Sequence, residues 1–376
     1  MKTEKVLSDI PDNPYILLTP GPLSTSAAVR NAMLRDWCTW DEDYNIGVVQ
    51  DIRTRLTEYA TSQPEKYTAV LMQGSGSFGV EACLGTAVPE DGKLLIIANG
   101  AYGRRMVSFM QTMGRSYVLA EFSETEQPDI DKVNEILDKD KEISHVAMVF
   151  CETTTGILNP VREICLLAKE KEKMTIVDAM SAFGGIPMDM EGWGIDYLIS
   201  SSNKCIQGVP GFSFIIASVQ KLALCEGNAH SHSLDVYDQW KTMDKKGKWR
   251  FTSPTHTERA FQQALNELDK EGGIEKRYSR YSENQQRLRE GMKEIGYETL
   301  LDEGMQSPII TAFCYPDSSF EFKDFYEKMK EKGFVLYPGK VSDAETFRIG
   351  NIGEVYLADG AGHPANPAAW PAVRAD

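Results

Sequence analysis

Three short stretches place chemistry-bearing residue types where they can act. The first is GSGSFG at 74–79, which follows an apolar run and opens a helical one. Small side chains there let the backbone N–H groups of Ser75, Gly76 and Ser77 approach an anion, and the helix N-terminus adds the positive end of its dipole. The stretch is either a cradle for a single phosphate or a tight strand-to-helix turn with no ligand. It also fits GxGxxG, the fingerprint of dinucleotide folds. Such a fold needs an acidic residue at the end of the following strand to hold a ribose. Here that strand ends IIANG, with Asn99 in place of the acid, and a nicotinamide cofactor is discounted.

The second stretch is SSSNK at 200–204, where a strand of small polar residues runs into Lys204. A lysine beyond the C-terminal end of a parallel strand points into the crevice where α/β enzymes bind ligands, and its amine can form a Schiff base with an aldehyde. Taken alone, it reads equally as an exposed loop lysine. The third stretch, TIVDAMSAFGG at 175–185, ends an apolar strand in Asp178. A carboxylate at a buried strand end is costly without a cationic partner, and a pyridinium N–H is such a partner. The simpler alternative is an aspartate capping the next turn. In chain order the three stretches offer a phosphate cradle, a pyridinium counter-ion and an amine for an aldehyde. Pyridoxal 5'-phosphate needs that set, because a protonated ring is its electron sink.

Other reactive residues carry less. His230 and His232 lie at i, i+2 with no carboxylate or thiol at metal-ligand spacing, so a solvated loop is expected and no metal. Cys205 has no histidine in a triad pattern and reads as a packed thiol.

The elements that must position these residues alternate from Tyr67 onward. Strand-like runs at 68–72, 93–98, 117–122, 145–150 and 175–179 are separated by helical segments at 80–87, 103–113, 130–137 and 162–171. Continuous β-branched runs imply strands buried on both faces, and the alternation implies right-handed crossovers and a mostly parallel sheet. The runs at 196–202 and 211–218 follow closely with no helix between them and suggest an antiparallel edge. After Pro254 two long helical patterns, 258–270 and 273–295, lead into strands at 308–315, 334–338 and 346–350, with a Lys- and Glu-rich helix at 322–332. The fold class expected is α/β, a large domain with a mostly parallel sheet and a smaller C-terminal α/β domain.

Charge and composition narrow the function. Forty Lys and Arg against 55 Asp and Glu leave a formal net charge of −15. That field repels nucleic acid and anionic membranes, so neither is an expected partner. An anionic substrate would need a local cluster of cations or amides. Seven scattered cysteines without CxxC pairs, and a first stretch without an apolar run, point to a reduced, cytoplasmic protein. A structural or scaffold protein would have no use for the three stretches together.

At wider scale LLTPGPLSTS (17–26), MQGSGSFGVEA (72–82), NGAYGRR (99–105), ETTTG (152–156), VDAMSAFGG (177–185), SSSNKCIQGVPG (200–211), RFTSPTHT (250–257) and FRIGNIG (347–353) resemble the class V, fold-type I aminotransferases. The resemblance runs from about Asn13 to Tyr356. It implies a pyridoxal 5'-phosphate enzyme of two half-reactions. Within the family the match is nearest to members that move the amine of 2-aminoethylphosphonate to pyruvate. A member acting on another small pair, such as alanine and glyoxylate, is the alternative.

The resemblance implies roles position by position. Lys204 would be joined to the cofactor aldehyde, Asp178 would pair the ring nitrogen, and Ser75, Gly76 and Ser77 would bind the phosphate. Tyr102 would stack on the ring and Thr153 would lie near its 3′-oxygen. Thr252 would reach the phosphate of a neighbouring subunit, which implies a homodimer with shared sites; the basic stretch before it, 241–250, reads as a solvated loop or else as a loop that helps draw anions to the shared site. Arg348 would grip the substrate's acidic end, and the turn carrying Gly21 and Pro22 would fold over the substrate entrance. The implied division is an N-terminal segment at 1–24, a large cofactor-binding domain at 25–257, a small domain at 258–356 and a tail at 357–376. The tail is rich in Ala and Pro, lacks helical periodicity and departs from the charged C-terminal helix of the family.

Overall fold

The computed structural model describes residues 11, 13–339, 341 and 344–356. The expectations for the tail at 357–376 and for the first ten residues lie outside them.

The chain begins with a short strand, β1 (Ile16–Leu17), and a helix, α1 (Asp51–Ala60), before the alternation starts. There follow β2 (Tyr67–Gln73), α2 (Gly76–Ala87), β3 (Lys93–Ala98), α3 (Ala101–Met113), β4 (Ser116–Glu121), α4 (Ile130–Lys139) and β5 (Ile143–Val149). A two-strand ribbon, β6 (Cys151–Glu152) with β7 (Ile157–Leu158), precedes α5 (Val161–Glu170) and then β8 (Met174–Asp178), β9 (Tyr197–Ser201) and β10 (Phe212–Ser218). The rest comprises α6 (Val236–Lys246), α7 (Thr255–Glu271), α8 (Gly273–Glu294), β11 (Ile310–Cys314), α9 (Phe322–Glu331), β12 (Phe334–Val335), β13 (Tyr337–Pro338) and β14 (Thr346–Gly350).

Seven strands form one sheet in the order β2-β10-β9-β8-β5-β3-β4, parallel throughout except for β10. The expected antiparallel strand is present, but it is not at an edge. β10 sits between β9 and β2 and pairs along its length with β2. The reason is in its side chains: Phe212, Phe214 and Ile216 on one face and Ile215 and Ala217 on the other are all buried, and an edge would leave part of that surface wet. Because β10 reverses direction against both neighbours, β2 runs the same way as the parallel strands. All their C-terminal ends therefore open on one side of the molecule.

The stretch at 241–250 is not a plain solvated loop. Its first half ends α6, which Asp235 caps by accepting from the Asp238 amide at 2.9 Å and which Gly247 terminates with φ 72°. Trp249 is then buried, its indole N–H donating to Glu258 at 2.7 Å.

The hydrophobic core falls into two clusters. The larger surrounds the seven-stranded sheet and includes Phe261 and Leu265 of α7. The smaller centres on Phe347 of β14, with the rings of Phe325 at 5.0 Å, Tyr297 and Phe320 at 5.6 Å and Phe313 at 5.7 Å. Leu18 belongs to this second cluster, β1 pairs in parallel with β12, and the Gly350 amide donates to the Leu18 carbonyl at 3.0 Å. The N-terminal segment is thereby pinned to the C-terminal layer, which fixes where residues 19–22 emerge. The run 334–338 is two strands instead of one: Leu336 turns into the core and the halves take different partners, β1 and β14. Among the described residues no helix is long and apolar enough to cross a membrane.

Candidate active site

The site lies where the parallel strands end. Asp178 is the last residue of β8 and is 4% exposed. Its backbone carbonyl accepts from the Phe150 amide at 2.8 Å, and its Oδ1 accepts from the Met180 amide at 2.9 Å. Burial pushes the carboxyl up to about 6, against the opposing pull of the Met180 amide and the charges of Lys204 and Arg105. Among the described residues no lysine or arginine nitrogen lies within ion-pair distance of Asp178.

Lys204 follows β9 by three residues. The loop is tied by the Ser202 hydroxyl, which donates to the Val209 carbonyl at 2.6 Å, and by the Gln207 amide, which donates to the Lys204 carbonyl at 2.7 Å. The Nζ donates to the carbonyls of Pro20 at 3.1 Å and Gly21 at 3.3 Å. Burial lowers the ammonium's pKa and Arg348 adds to the effect, while Cys205, Asp178 and Cys151 oppose it. Gly21 is required here. It has φ +113°, and a Cβ on it would stand 2.7 Å from both the Asn203 carbonyl oxygen and Lys204 Cδ. The Thr19 hydroxyl donates to the Pro22 carbonyl and closes this turn.

The glycine-rich stretch forms a tight strand-to-helix turn. Gly74, with φ +120°, makes the turn out of β2, and Ser75 stands at the N-cap of α2 with its side chain making no cap hydrogen bond. The first-turn N–H groups of a helix have no intrahelical acceptor, which leaves those of Gly76 and Ser77 turned to the cleft end. A side chain at Gly76 would collide with the Met180 sulfur.

Tyr102 opens α3. Arg105, one turn later, lays its guanidinium 4.9 Å from the Tyr102 ring centroid and donates to Ser77 Oγ at 2.9 Å. The start of α3 is held by Glu152 of β6. Its Oε2 accepts from the Tyr102 amide at 3.1 Å and the Gly103 amide at 3.4 Å, and its Oε1 from the Thr154 hydroxyl at 2.9 Å. Glu152 is fully buried and its carboxyl is pushed up to about 7 by that burial. Gly100 leaves room for it, since a side chain there would strike Glu152. Next to Glu152, Thr153 is buried and its carbonyl accepts from Arg348 Nη1 at 2.8 Å. Arg348 Nε donates to the Pro338 carbonyl at 3.0 Å. Arg348 as a whole residue is 3% exposed, and burial lowers its pKa. Among the described residues it has no carboxylate within ion-pair distance.

Contacts of these residues bring Ser75, Gly76, Ser77, Tyr102, Thr153, Asp178, Lys204, Arg348, Gly21 and Pro22 into one region at the C-terminal ends of the parallel strands. Thr252 is not among them. It is exposed, and it lines a separate surface cavity with Trp40, Lys248 and Phe251. Cys205 is a packed thiol, donating to the Ser181 carbonyl at 3.3 Å and pushed up to about 12 by burial. Among the described residues no group of three His, Cys, Asp or Glu side chains could hold a metal, and His230 and His232 join no such group. Arg105 and Glu152 escaped the sequence reading. The signal for Arg105 was its i, i+3 spacing from Tyr102; for Glu152 it was only adjacency to Thr153.

The sequence model of the family described as aminotransferase class-V matches residues 55–342. The chain belongs to the class V aminotransferase family. A 2-aminoethylphosphonate–pyruvate transaminase of Bacteroides fragilis is 58% identical over 347 residues, 92% of this chain and 96% of that protein. One of Phocaeicola vulgatus is 56% identical over the same shares of the two chains. A bifunctional phosphonoacetaldehyde hydrolase/aminoethylphosphonate transaminase of Clostridioides difficile is 56% identical over 362 residues, and this chain spans 57% of that longer protein. Among solved structures, alanine–glyoxylate aminotransferase from Nostoc sp. superposes with a TM-score of 0.84 at 22% identity, each chain 92% covered. Pyridoxamine–pyruvate aminotransferase from Mesorhizobium loti gives 0.81 at 23%, covering 91% of this chain and 88% of that one. These two show the shared fold.

Class V aminotransferases depend on pyridoxal 5'-phosphate. The residues of this chain fit that group. The buried, unpaired Asp178 suits a ring N–H, the amine of Lys204 an aldehyde, the free amides of the α2 start a phosphate, and Tyr102 a ring face.

Proposed function

We propose that this aminotransferase moves the amine of 2-aminoethylphosphonate to pyruvate, giving phosphonoacetaldehyde and L-alanine. One observation supports the chemistry: Lys204 and Asp178 are both buried just where the neighbouring strands β9 and β8 end, near enough for each charge to act on the other. The substrate choice is supported by 56–58% identity over most of the chain to relatives named for that reaction. Exchange between alanine and glyoxylate has in its favour a fold likeness at 22% identity, which says nothing of substrate.

When bound, the cofactor supplies an aldehyde for the amine and a ring that spreads the negative charge left on the amine-bearing carbon. Asp178 would face the ring nitrogen and keep it protonated. Ser75, Gly76 and Ser77 would hold the phosphate, Tyr102 would cover one ring face, and Thr153 would stand near the ring oxygen. Lys204 would hold the cofactor's aldehyde and, when its amine is free, would serve as the general base. Burial lowers the ammonium's pKa and so favours the neutral amine, and Nζ would take the proton from the amine-bearing carbon and deliver it to the carbon that was the cofactor's aldehyde. The Pro20 and Gly21 carbonyls keep Nζ oriented between the two transfers. Arg348 binds the phosphonate in one half-reaction and the carboxylate in the other. A planar fork of donors serves both anions, and no protein carboxylate among the described residues competes for it.

The test is direct. Purified protein with 2-aminoethylphosphonate and pyruvate should form alanine, and Lys204→Ala should form none and lose the visible absorbance. Alanine formed equally well from unrelated amines would overturn the substrate assignment, and turnover by Lys204→Ala would overturn the mechanism.

We further propose a cytoplasmic homodimer, with Thr252 of one chain serving the phosphate end of its partner's site. Exposed Trp40 and Phe251 beside Thr252 are support, being large apolar surface at the place this arrangement needs covered. Sedimentation as a monomer would refute it. The large domain at 25–257 and the small domain at 258–356 remain our working division, with α7 packed into the larger cluster.

A further inference from the structure

Arg104 and Arg105 are adjacent in sequence and differ in what they meet. Arg104 points outward and pairs with Glu121 at 2.8 Å and Glu124 at 2.9 Å. Arg105, turned about 100° further round α3, is half-buried against the start of α2 and has no carboxylate within ion-pair distance among the described residues. Its side-chain hydrogen bond goes to Ser77 Oγ, and its guanidinium plane lies over Tyr102. Ser77 is in the first turn of α2, where unpaired N–H groups and the dipole make a positive end. A cation held beside that end is repelled by it. An anion between them relieves that repulsion, and a dianion meets both charges at once.

The hydrogen bond also sets a direction. Ser77 Oγ accepts from Arg105, so the serine's own proton is free to point away from the arginine. The remaining guanidinium donors have no protein acceptor among the described residues. The Tyr102 ring restrains the guanidinium plane, since residues at i and i+3 share a helix face.

We propose that Arg105 is the positioning residue for the cofactor's phosphate. It turns the Ser77 hydroxyl into a donor toward that phosphate, adds a positive charge to the cradle, and makes the site prefer the phosphorylated vitamer to the unphosphorylated one. This rests on the cofactor reading above. A structural role under Tyr102 would be blind to whether the ligand carries a phosphate, which separates the two explanations.

The experiment titrates cofactor-free protein with pyridoxal 5'-phosphate and, separately, with pyridoxal, following absorbance and protein fluorescence. Arg105→Met is expected to weaken pyridoxal 5'-phosphate binding by about 10- to 100-fold, the range for losing a charge-assisted contact, and pyridoxal by less than about 3-fold. Arg105→Lys should recover part of the preference, since the charge returns without the fork. Ser77→Ala combined with Arg105→Met should lose less than the two single effects multiplied. Equal weakening of both vitamers would overturn the proposal, as would no weakening of either. So would an unchanged cofactor affinity with a raised KM for the amine donor. Should Arg105→Met not fold, the Lys variant alone decides by its vitamer ratio. Wild-type protein binding neither vitamer would refute the cofactor reading itself, an outcome distinct from these.

Discussion

Asp178 offers the sharpest quantitative test of the site. Without cofactor its carboxyl is held near 6 by burial, against an ordinary 3.8. With cofactor it must be ionised to face a ring N–H. Below pH 6 the free protein therefore has to give up a proton before it can bind well, and affinity must rise with pH until the group is already charged. At pH 5 about one molecule in eleven has Asp178 ionised, and at pH 7 about ten in eleven. Asp178 alone thus weakens binding about tenfold at pH 5 relative to pH 7. The cofactor's phosphate and Lys204 also titrate, and Asp178→Asn cancels them: the ratio of wild-type to variant affinity should climb about tenfold between pH 5 and pH 7. Equilibrium titration of cofactor-free protein with pyridoxal 5'-phosphate at fixed ionic strength measures that ratio. A second readout follows from the sign. The raised pKa favours the folded state below about pH 4, and that stability is lost as pH rises through 6, by up to about 3 kcal/mol. Cofactor-free Asp178→Asn should therefore melt higher than wild type at pH 8 and near it at pH 4. A ratio that is flat or falling with pH would refute the claim that this acid is buried and unpaired until the cofactor arrives.

Other substitutions probe the supports around it. Glu152→Ala leaves the Tyr102 and Gly103 amides and the Thr154 hydroxyl without their acceptor, and should cost about 2–4 kcal/mol of stability, read as a lowered melting temperature. Arg348→Met should raise KM for both substrates by about 10- to 100-fold, while the cofactor-free protein becomes no less stable because an unpaired buried charge has been removed. Gly21→Ala should lower kcat about tenfold or more, since a methyl 2.7 Å from Lys204 Cδ at φ +113° forces the turn or the lysine to move.

Much of this architecture could be read from the chain because burial leaves a plain mark. KLLIIA reads as a strand over 93–98 and is β3 to the residue, since past its opening lysine the strand is covered on both faces and apolar throughout. Asp178 and Lys204 stood out for the same reason, as charged residues closing apolar or small-residue runs. What stayed hidden depends on partners distant in sequence. Nothing within FSFIIAS tells whether its strand lies at an edge or inside, because that is decided by where β2 lies. The lysines that end α6 read as a loop, though they sit in its last turn where they suit the dipole. Glu152 looks like one polar residue among threonines, and its role exists only because Gly100, fifty-two residues earlier, leaves space for it.

The overall charge of −15 and an anion-handling site are reconciled by the pairing of cations. On the surface, arginines and lysines are matched with acids: Arg55 with Asp51 and Asp269, Lys93 with Asp140 and Glu142, Arg104 with Glu121 and Glu124. In the cleft, Lys204, Arg348 and Arg105 have backbone carbonyls or a serine hydroxyl for partners. Neutral partners orient a cation without cancelling it, so its charge is left for a ligand. The two acids that share this region, Asp178 and Glu152, are raised by burial to about 6 and about 7, so at neutral pH they are only partly ionised and offset only part of the charge of the three cations. A small anion approaching the molecule thus meets repulsion at long range, screened within about 8 Å at physiological salt, and an unmatched positive pocket at short range. Steering is weak and capture is local. Raising ionic strength should therefore leave kcat/KM for the phosphonate nearly unchanged or slightly higher, and a steep fall with salt would show that long-range attraction, absent from this charge distribution, brings the substrate in.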